Sequence, residues 1–452
     1  MEVEVINSEC SEYLDTLDDN SIDACVTDPP YELGFMDKDW DRSGIAFDPA
    51  FWEKVKRVLK PGAHMAVFGG SRTYHRIAVG IEDAGFEIRD TIDWIYAEGF
   101  AKSHDVGKAI DEHLGKKDDR NRIGLKEKAS RKDGSMVDRN SYGNQWTDNP
   151  SGWEERGRNP YKTAPASDEA KKWDGWDTQL KPAKEPIIIA RKPLEGTVAE
   201  NVLEHGTGAL NIADSRVGTK KNVPSSVSRS EDGNSLSGSV DGSLRNETGN
   251  ESGHDPNTGR WPANVIFDSK MAEEIDEQSG RDLTAGGDVK EKQRDDTNVY
   301  GEYWGTAKHE SYDDKGGASR YFKTIDYHVE DNLGFFYCPK AKRNERDLGV
   351  EGGNDHVTVK PIELMSYLVR LLAPKEGHIL DPFAGSGTTG MSAVLEGAGA
   401  DLVEMDEDYC EIARQRVRYA KTNYQSLRED IYGDAANNIT DEQTDVNDHN
   451  FW

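Results

Sequence analysis

Two short motifs, each placed directly after an apolar run, constrain the fold of this chain more than any other feature. Asp28-Pro29-Pro30-Tyr31 follows the run Ile22–Thr27, and the glycine-rich stretch Asp381-Pro382-Phe383-Ala384-Gly385-Ser386-Gly387-Thr388-Thr389 follows the run His378–Leu380. Each run is typical of a buried strand. Because ligands of α/β sheets bind at the carboxyl ends of the strands, we expect both motifs to open into one crevice, although most of the chain separates them.

Strand and helix patterns alternate along much of the remaining chain. Apolar runs predict further strands at 2–6, 63–68, 92–96, 186–191, 261–267, 334–338 and 400–403. Apolar positions at helical spacing predict helices at 51–59, 362–372 and 409–419. This alternation indicates an α/β fold with a mostly parallel sheet and helices on both faces.

Three polar stretches interrupt the alternation. Residues 116–180 and 280–330 are rich in charged, Gly, Asn and Asp residues with scattered aromatic side chains. Residues 216–258 are low-complexity Ser, Gly, Asn and Asp sequence with little apolar content. Such composition cannot bury enough apolar surface to order a chain, so we expect 216–258 to be flexible.

Composition restricts the class of protein. The 452 residues allow one large domain with insertions, or two to three domains. The sequence has neither a run of 18 apolar residues nor a secretory signal pattern, so we expect a soluble, cytoplasmic protein without a membrane partner. The four cysteines, Cys10, Cys25, Cys338 and Cys410, lack metal-ligand spacing, and Cys25 and Cys338 are predicted to be buried thiols.

The two motifs and the phrases between them resemble the amino-directed DNA methyltransferases. The resemblance covers about 1–115, 182–215 and 330–420, and phrases at 34–41, 57–62, 181–186 and 358–361 support it. The order of the motifs resembles the permuted group called beta. The resemblance implies a Rossmann-like methyltransferase fold, circularly permuted, with a large irregular insertion. It also implies transfer of a methyl group from S-adenosylmethionine to an exocyclic nitrogen of adenine or cytosine in double-stranded DNA.

The same resemblance implies a division of the chain. Residues 1–115 correspond to the catalytic half of the core and 331–424 to its cofactor-binding half. The inserted target-recognition region spans 116–330 and contains a core strand near 186–191. Residues 425–452 are acidic, and we expect a disordered tail there.

The first motif suits activation of an amino group. An exocyclic amine is a poor nucleophile because its lone pair is delocalised, and two acceptors for its N–H bonds favour the tetrahedral state that attacks. Asp28 supplies a carboxylate and Pro29 a carbonyl, while Pro30 has no N–H to compete. Tyr31 is expected to stack on a base turned out of the duplex. A turn after a strand is the alternative for this tetrad, and the second motif favours catalysis.

The second motif suits binding of the methionine part of the cofactor. Gly385 and Gly387 allow close approach of the backbone, and Thr388 opens a helix whose free N–H groups suit a carboxylate. Asp381 is placed to receive the ammonium group, whereas Phe383 is better explained as packing beneath the loop than as a direct contact. A dinucleotide-binding loop is the alternative, but the third glycine of that fingerprint is missing.

Further cofactor contacts follow from position and resemblance. Glu404 ends the next strand, where an acid accepts from ribose hydroxyls. The resemblance implies that Thr358 and Lys360 flank the methionine end and that Glu9 lies near the adenine. His356 stands in His-Val-Thr where the family has His-Pro-Thr, and this departure weakens any role for it.

A local basic cluster is the candidate DNA-binding segment. Residues 116–162 hold 12 Lys and Arg against 8 Asp and Glu, in a chain of net charge −29. The densest group is Arg120, Arg122, Lys126, Lys128, Arg131 and Lys132. Basic side chains in an irregular insert suit phosphate contacts. A solvated charge run explains the same residues equally well.

The overall acidity conflicts with DNA binding at ordinary salt, because DNA binding normally needs basic groups. Either the protein does not bind nucleic acid, or the charge of −29 is an adaptation to high salt, where repulsion is screened within about 3 Å at 1 M. The acidic residues are dispersed and the motifs are intact. We therefore infer a salt-loving host, a haloarchaeon or one of its viruses.

Adenine N6 is the predicted target, since Asp at the first tetrad position accompanies adenine in the resembling family. Cytosine N4 is the first alternative, because the same acceptors serve either amine. Methylation of RNA or of a protein amide and a non-catalytic binding module are the others. The sequence shows no nuclease motif, so any restriction nuclease is expected to be a separate chain.

Overall fold

A nine-stranded sheet organises the larger of the two units into which the chain divides. The computed structural model describes residues 2–33, 39–97, 103–125, 138–139, 146–147, 161–217, 260–280, 283–285, 314–325, 341, 343–356 and 358–432. The larger unit comprises 1–99 and 183–452, and the smaller unit comprises 100–182.

The strands of the main sheet are mostly parallel. In chain order they are β1 Val3–Asn7, β2 Ile22–Thr27, β3 Leu59–Phe68, β4 Glu87–Ile95, β5 Lys184–Arg191, β6 Val265–Asp268, β7 Lys323–Ile325, β8 His378–Asp381 and β9 Gly399–Glu404. Their order across the sheet is β1-β9-β8-β2-β3-β5-β4-β6-β7. Only β5 among them is antiparallel to its neighbours, β3 and β4. The α/β class with a mostly parallel sheet is thus confirmed.

Alternation along the central strands divides the core into two layers. Ala66 and Phe68 of β3 face one layer, whereas Met65 and Val67 face the other. The strand β5 behaves in the same way, since successive side chains of a strand point to opposite faces. A strand that is buried on both faces has a continuous apolar run, which is why the sequence predicted β2 and β5 so closely.

Helices cover both faces of this sheet. In the described part of the chain the α-helices are α1 Cys10–Leu14, α2 Pro49–Val58, α3 Tyr74–Asp83, α4 Val106–His113, α5 Asp168–Lys172, α6 Val198–His205, α7 Ser269–Ser279, α8 Arg343–Arg346, α9 Ile362–Leu372, α10 Thr388–Glu396, α11 Glu407–Thr422 and α12 Tyr424–Tyr432. Leu364 and Leu368 of α9 join one core layer, and Trp52 of α2 and Ile77 of α3 join the other. None of the described helices is long and apolar enough to cross a membrane.

Local capping explains where two of these helices begin. Asp48 accepts a hydrogen bond from the Ala50 N–H, and Pro49 occupies the first helical position of α2. Asp406 accepts from the N–H groups of Asp408 and Tyr409 at the start of α11. Residues Pro61 and Gly62 belong to β3, because α2 has already ended at Val58.

The smaller unit has its own short elements. It contains α4 and α5, the antiparallel pair Arg122–Leu125 and Tyr161–Thr163, and the antiparallel pair Asp138–Arg139 and Trp146–Thr147. In the larger unit, Leu283–Ala285 pairs with Asp314–Gly316 outside the main sheet.

The predicted division of the chain needs two corrections. The region 116–330 is not one insertion, because the smaller unit ends at 182 and the later part supplies β5, β6 and β7 to the main sheet. The predicted disordered tail begins too early, since residues 424–432 form α12 with Leu427 packed in a cluster with Leu395 and Ala420. Most of 216–258 and the predicted strand 334–338 lie outside the described residues. The assignment to the permuted group stays a prediction.

Candidate active site

Neighbouring strands bring the two motifs to one edge of the sheet. Strands β2 and β8 are parallel partners, with Ile379 opposite Ala24 and Leu380 opposite Cys25. The Thr27 hydroxyl donates to Asp381 Oδ1 at 2.7 Å. The motifs that follow these strands therefore lie at the same edge of the sheet, as the sequence predicted.

Asp28 has one carboxylate oxygen engaged and one unused. Its Oδ2 accepts a hydrogen bond from Lys360 Nζ at 2.5 Å. Its Oδ1 is buried and has no hydrogen-bond partner among the residues that the structure describes. A buried acceptor without a partner costs free energy, so this oxygen is suited to a donor brought by a ligand.

Lys360 contacts residues of the first motif, and its predicted place at the methionine end of the cofactor stays a prediction. Its ammonium group contacts Asp28, donates to the Tyr31 hydroxyl at 3.3 Å and lies 3.7 Å from Glu185 Oε2. The Phe68 ring centroid is 4.8 Å from the same nitrogen. The side chains of Lys360 and Glu185 are each 4% exposed, so this is a buried charge cluster.

Sequence reasoning missed Glu185 as a member of this cluster. The residue was visible in the phrase Lys181–Pro186, which carried the resemblance but suggested no role. Because β5 is antiparallel, its first residues lie at the edge of the sheet where β3 ends, and the Gly69 N–H donates to the Pro186 carbonyl there. Only the sheet topology brings Glu185 to the crevice.

A second acid holds the turn that follows Tyr31. Asp41, 2% exposed, accepts from the N–H groups of Glu32 and Leu33 at 2.9 and 3.1 Å. Glu32 has a φ of +55°, in the left-handed region that a residue with a β-carbon seldom adopts. The two hydrogen bonds offset this backbone strain and hold the turn that follows Tyr31.

The glycine loop is tightly enclosed. Gly385 has a φ of +50°, and a β-carbon there would lie 2.7 Å from His356 Nε2. Gly387 has a φ of +75°, and a β-carbon there would lie 2.8 Å from the Ala413 β-carbon. Both positions therefore require glycine. The ring of His356 also contacts Tyr409, with centroids 4.6 Å apart, so His356 borders the loop despite its altered motif.

Glu404 lies beside this loop at the end of β9. Its Oε2 accepts from the Gly385 N–H at 3.0 Å and its Oε1 from the Asp406 N–H at 2.9 Å. Burial raises the pKa of Glu404, and these backbone hydrogen bonds oppose the change. The carboxylate is thus placed at the crevice, where its predicted contact with a ribose stays a prediction.

Asp381 supports the loop from below. It is 2% exposed; Oδ1 accepts from Thr27 and from the Phe383 N–H, and Oδ2 accepts from the Thr389 hydroxyl at 2.5 Å. Burial raises the pKa of Asp381 to about 6, against the opposing effect of these hydrogen bonds. The predicted contact with a cofactor ammonium group is untested, and the contacts present are those of a residue that positions the loop.

A buried arginine, which sequence reasoning missed, lies against the same loop. Arg416 is fully buried and donates through Nη1 to the Ser386 carbonyl at 2.9 Å and to the Thr388 hydroxyl at 2.9 Å. Burial lowers the pKa of Arg416 to about 10. The Thr388 hydroxyl is therefore engaged inside the protein, and the role left to Thr388 in cofactor binding is that of its backbone N–H at the start of α10.

The remaining predicted cofactor residues lie in or next to these elements. Phe383 packs on Phe51 with ring centroids 5.3 Å apart, which agrees with packing beneath the loop. The Thr358 N–H donates to His356 Nδ1 at 3.3 Å. Glu9 caps α1 by accepting from the Glu12 N–H at 3.0 Å. Cofactor contacts of Thr358 and Glu9 stay predictions.

The structure contradicts one predicted DNA contact. Arg120 has a side chain 5% exposed and is paired with the fully buried Asp111 at 2.5 Å. It also donates to Thr163 through Nε at 3.1 Å, so its guanidinium group holds the smaller unit together and is not presented to phosphate. Arg122 is exposed. The other predicted contacts, Lys126, Lys128, Arg131 and Lys132, lie outside the described residues.

Comparison with curated proteins finds partial matches to type II methyltransferases. Over 123 residues the chain is 31% identical to the type II methyltransferase M.HpaI of Haemophilus parainfluenzae, a match to 25% of this chain and 38% of that protein. Over 61 residues it is 38% identical to M2.MboI of Moraxella bovis, covering 14% of this chain and 22% of that protein. The chain thus spans less than half of the length of these relatives.

Two of the solved structures that the chain matches are distant from it in sequence. The cytosine-N4-specific PvuII DNA methyltransferase is 12% identical with a TM-score of 0.40, covering 94% of this chain and 93% of that one. The M1.HpyAVI–SAM complex is 12% identical with a TM-score of 0.34, covering 92% and 99% of the two chains.

A family model supplies the decisive match, because it covers most of the chain and includes both motifs. The model described as DNA methylase, N6_N4_Mtase, matches residues 22–415. That range runs from the start of β2 into α11 and contains Asp28, Lys360, the glycine loop and Glu404. The chain therefore belongs to the N6_N4_Mtase family of DNA methylases.

Proposed function

We propose that this protein transfers a methyl group from S-adenosylmethionine to adenine N6 in double-stranded DNA. The unpartnered Oδ1 of Asp28 carries the proposal, because it is a buried acceptor beside a glycine loop on the neighbouring strand. An amino group is the simplest donor that satisfies it. The assignment to adenine, in preference to cytosine, follows from Asp at the first position of the tetrad.

The residues around the glycine loop fit the methyl donor. Gly385 and Gly387 have positive φ and lack β-carbons, so they allow the tight backbone course of the loop that precedes α10. Glu404 suits hydroxyl donors of a ribose, and the free N–H groups at the start of α10 suit a carboxylate. Bound S-adenosylmethionine supplies an electrophilic methyl carbon on a sulfonium ion.

The reaction needs no covalent enzyme intermediate. The target nitrogen forms a bond to the methyl carbon while the carbon–sulfur bond breaks, and sulfur keeps the electron pair. The nitrogen then carries a positive charge and loses one proton, for which Asp28 is the acceptor within reach. Asp28 and the Pro29 carbonyl first orient the two N–H bonds, so the same groups bind the amine and receive its proton.

The base must leave the duplex before its amino group reaches Asp28. Tyr31 offers an aromatic face at the motif, and Asp41 holds the turn behind it. Phosphate contacts are assigned to the exposed Arg122 and to Lys126, Lys128, Arg131 and Lys132 of the smaller unit. Arg120 is withdrawn from that set because it is buried.

The proposal is tested by incubating the full-length protein with methyl-labelled S-adenosylmethionine and duplex DNA, RNA or protein, at both low and molar salt. Digestion of the DNA to nucleosides should give labelled N6-methyldeoxyadenosine, and Asp28→Asn should give none. Labelled N4-methyldeoxycytidine would overturn the assignment to adenine and keep the amine chemistry. Label in RNA or protein alone would overturn DNA as the substrate.

A further inference from the structure

Asp28 belongs to a buried cluster with one cation and two carboxylates. Lys360 Nζ lies 2.5 Å from Asp28 Oδ2 and 3.7 Å from Glu185 Oε2. The Asp28 side chain is 17% exposed, and those of Lys360 and Glu185 are 4% exposed. When all three groups are ionised, the cluster has a net charge of −1. The two carboxylates then share one ammonium group as their counter-charge.

We propose that Glu185 and Lys360 are positioning residues that set how readily Asp28 takes up the proton released in methyl transfer. The inference rests on the proposed function, since it concerns the same carboxylate. The proposed contact of the amine is the unpartnered Oδ1 of Asp28, and the two residues act through that carboxylate. Lys360 fixes Oδ2 and so leaves Oδ1 for the amine, and Glu185 holds Lys360 from its other side.

The role of Glu185 follows from what happens to the cation when Asp28 is protonated. Protonation removes the negative charge that faces Lys360, and a buried ammonium group without a counter-charge is costly. Glu185 remains as that counter-charge. The cluster can therefore accept one proton without leaving a buried cation unpaired, which makes Asp28 a better acceptor than an isolated Asp–Lys pair.

The role of Lys360 is opposite in sign. Without its ammonium group, the carboxylates of Asp28 and Glu185 would face each other in a buried site, and one of them would hold a proton at higher pH. Among the described residues, the other titratable groups near Asp28 are the Tyr31 hydroxyl on the following turn and Asp381 on β8, whose carboxylate also interacts with Asp28. Both stay in place in the variants below.

The order of the strands brings the residues of this cluster together. Glu185 is at the start of β5 opposite Trp94 of β4, and Lys360 precedes α9. The three charged residues thus come from three separated parts of the sequence and meet only where β2 ends. Lys184, the neighbour of Glu185, forms a more exposed pair with Asp93 at 2.9 Å and provides a matched control.

The test is the pH dependence of kcat for methyl transfer to DNA in Glu185→Gln, Lys360→Met, the double variant and the control Lys184→Met. We expect kcat to fall about tenfold or more in both single variants, because the acceptor is displaced or its charge altered. The acid limb of the profile should move to lower pH in Glu185→Gln and to higher pH in Lys360→Met, by about one unit each. In the double variant the two shifts should largely cancel.

Further measurements separate this role from a loss of structure. Circular dichroism should match the wild type in every variant, the Kd for S-adenosylmethionine should match it in Glu185→Gln and Lys184→Met, and the KM for DNA should change less than kcat. Glu185→Asp, which keeps the charge, should restore much of the activity if the glutamine variant folds poorly. Shifts in the same direction, or no shift, in the two single variants would overturn the inference while leaving the function intact. A wild-type protein that methylates no DNA would overturn both.

Discussion

Two buried ion pairs, one in each unit, differ in how completely their carboxylates are satisfied. Asp111 in the smaller unit accepts on both oxygens, from the Ser167 N–H and hydroxyl, the Ala166 N–H and Arg120, at 2.5 to 3.0 Å. Asp28 in the larger unit accepts from Lys360 on one oxygen, and its other oxygen is buried without a partner in the described part of the chain.

The difference separates a structural carboxylate from one kept for a ligand. Burial alone raises the pKa of Asp111, but its hydrogen bonds, first those from Ser167, outweigh burial and hold the pKa below its usual range. Nothing further is needed to stabilise it. Asp28 keeps an unsatisfied oxygen at a free-energy cost, which a substrate amine would relieve. In this protein, therefore, a buried ion pair indicates function only when one oxygen of its carboxylate has no hydrogen-bond partner in the described part of the chain.

The largest expected effect comes from neutralising the two acids in turn. Asp28→Asn should lower kcat for methyl transfer by about 10³-fold, since an amide cannot accept the proton, while the free energy of unfolding changes little. Asp111→Asn should do the reverse, lowering stability and leaving kcat per folded molecule close to wild type. Parallel activity and urea-unfolding measurements check both. Equal loss of activity in the two variants would contradict the distinction between a catalytic Asp28 and a structural Asp111.

Removing the cation from the structural pair should be nearly as severe for stability. Arg120→Ala leaves Asp111 as a buried, unpaired charge, which typically costs about 3 to 5 kcal/mol of unfolding free energy. Hydrogen exchange of the full-length protein should show lost protection in α4, Val106–His113. Arg122→Ala is the control and should leave protection unchanged, because that side chain is exposed. Normal protection in Arg120→Ala would contradict the structural role.

Asp381 is an intermediate case, with its oxygens satisfied by hydroxyl and N–H donors and no paired cation. Its pKa is raised to about 6 from an ordinary value of 3.8, so its ionisation opposes folding. Its stabilising contribution is present below the ordinary pKa and is lost as the pH rises through about 6. Unfolding free energy of the wild type, relative to Asp381→Asn, should therefore fall between pH 4 and 7 by at most about 3 kcal/mol. A pH-independent difference would exclude this assignment.

The smallest expected effect is at the exposed arginine of the smaller unit. If Arg122 contacts one phosphate, Arg122→Ala should reduce the slope of log Kd against log salt for duplex DNA by about 0.9 and weaken binding uniformly across sequences. Fluorescence anisotropy with labelled duplexes over a range of salt measures the slope. An unchanged slope would show that the basic cluster is a solvated surface at this position.

The sequence by itself predicted the strands and helices whose buried residues form a clear apolar pattern. Continuous apolar runs located β2, β5 and β8, and helical spacing located α9 at its observed bounds, 362–372. It also predicted that the two motifs meet, because parallel strands present their carboxyl ends at one edge.

The partners of the buried charged side chains could be identified only from the tertiary structure. No local pattern distinguishes Arg120, which is buried against Asp111, from Arg122, which is exposed two residues later. Likewise, Lys360 and Glu185 carry no signal that they would surround Asp28, and Arg416 carries none that it lies beneath the glycine loop. Apolar periodicity is carried by neighbouring residues, whereas the partner of a buried charge depends on tertiary packing, which brings Lys360 to Asp28 across 332 positions of the sequence.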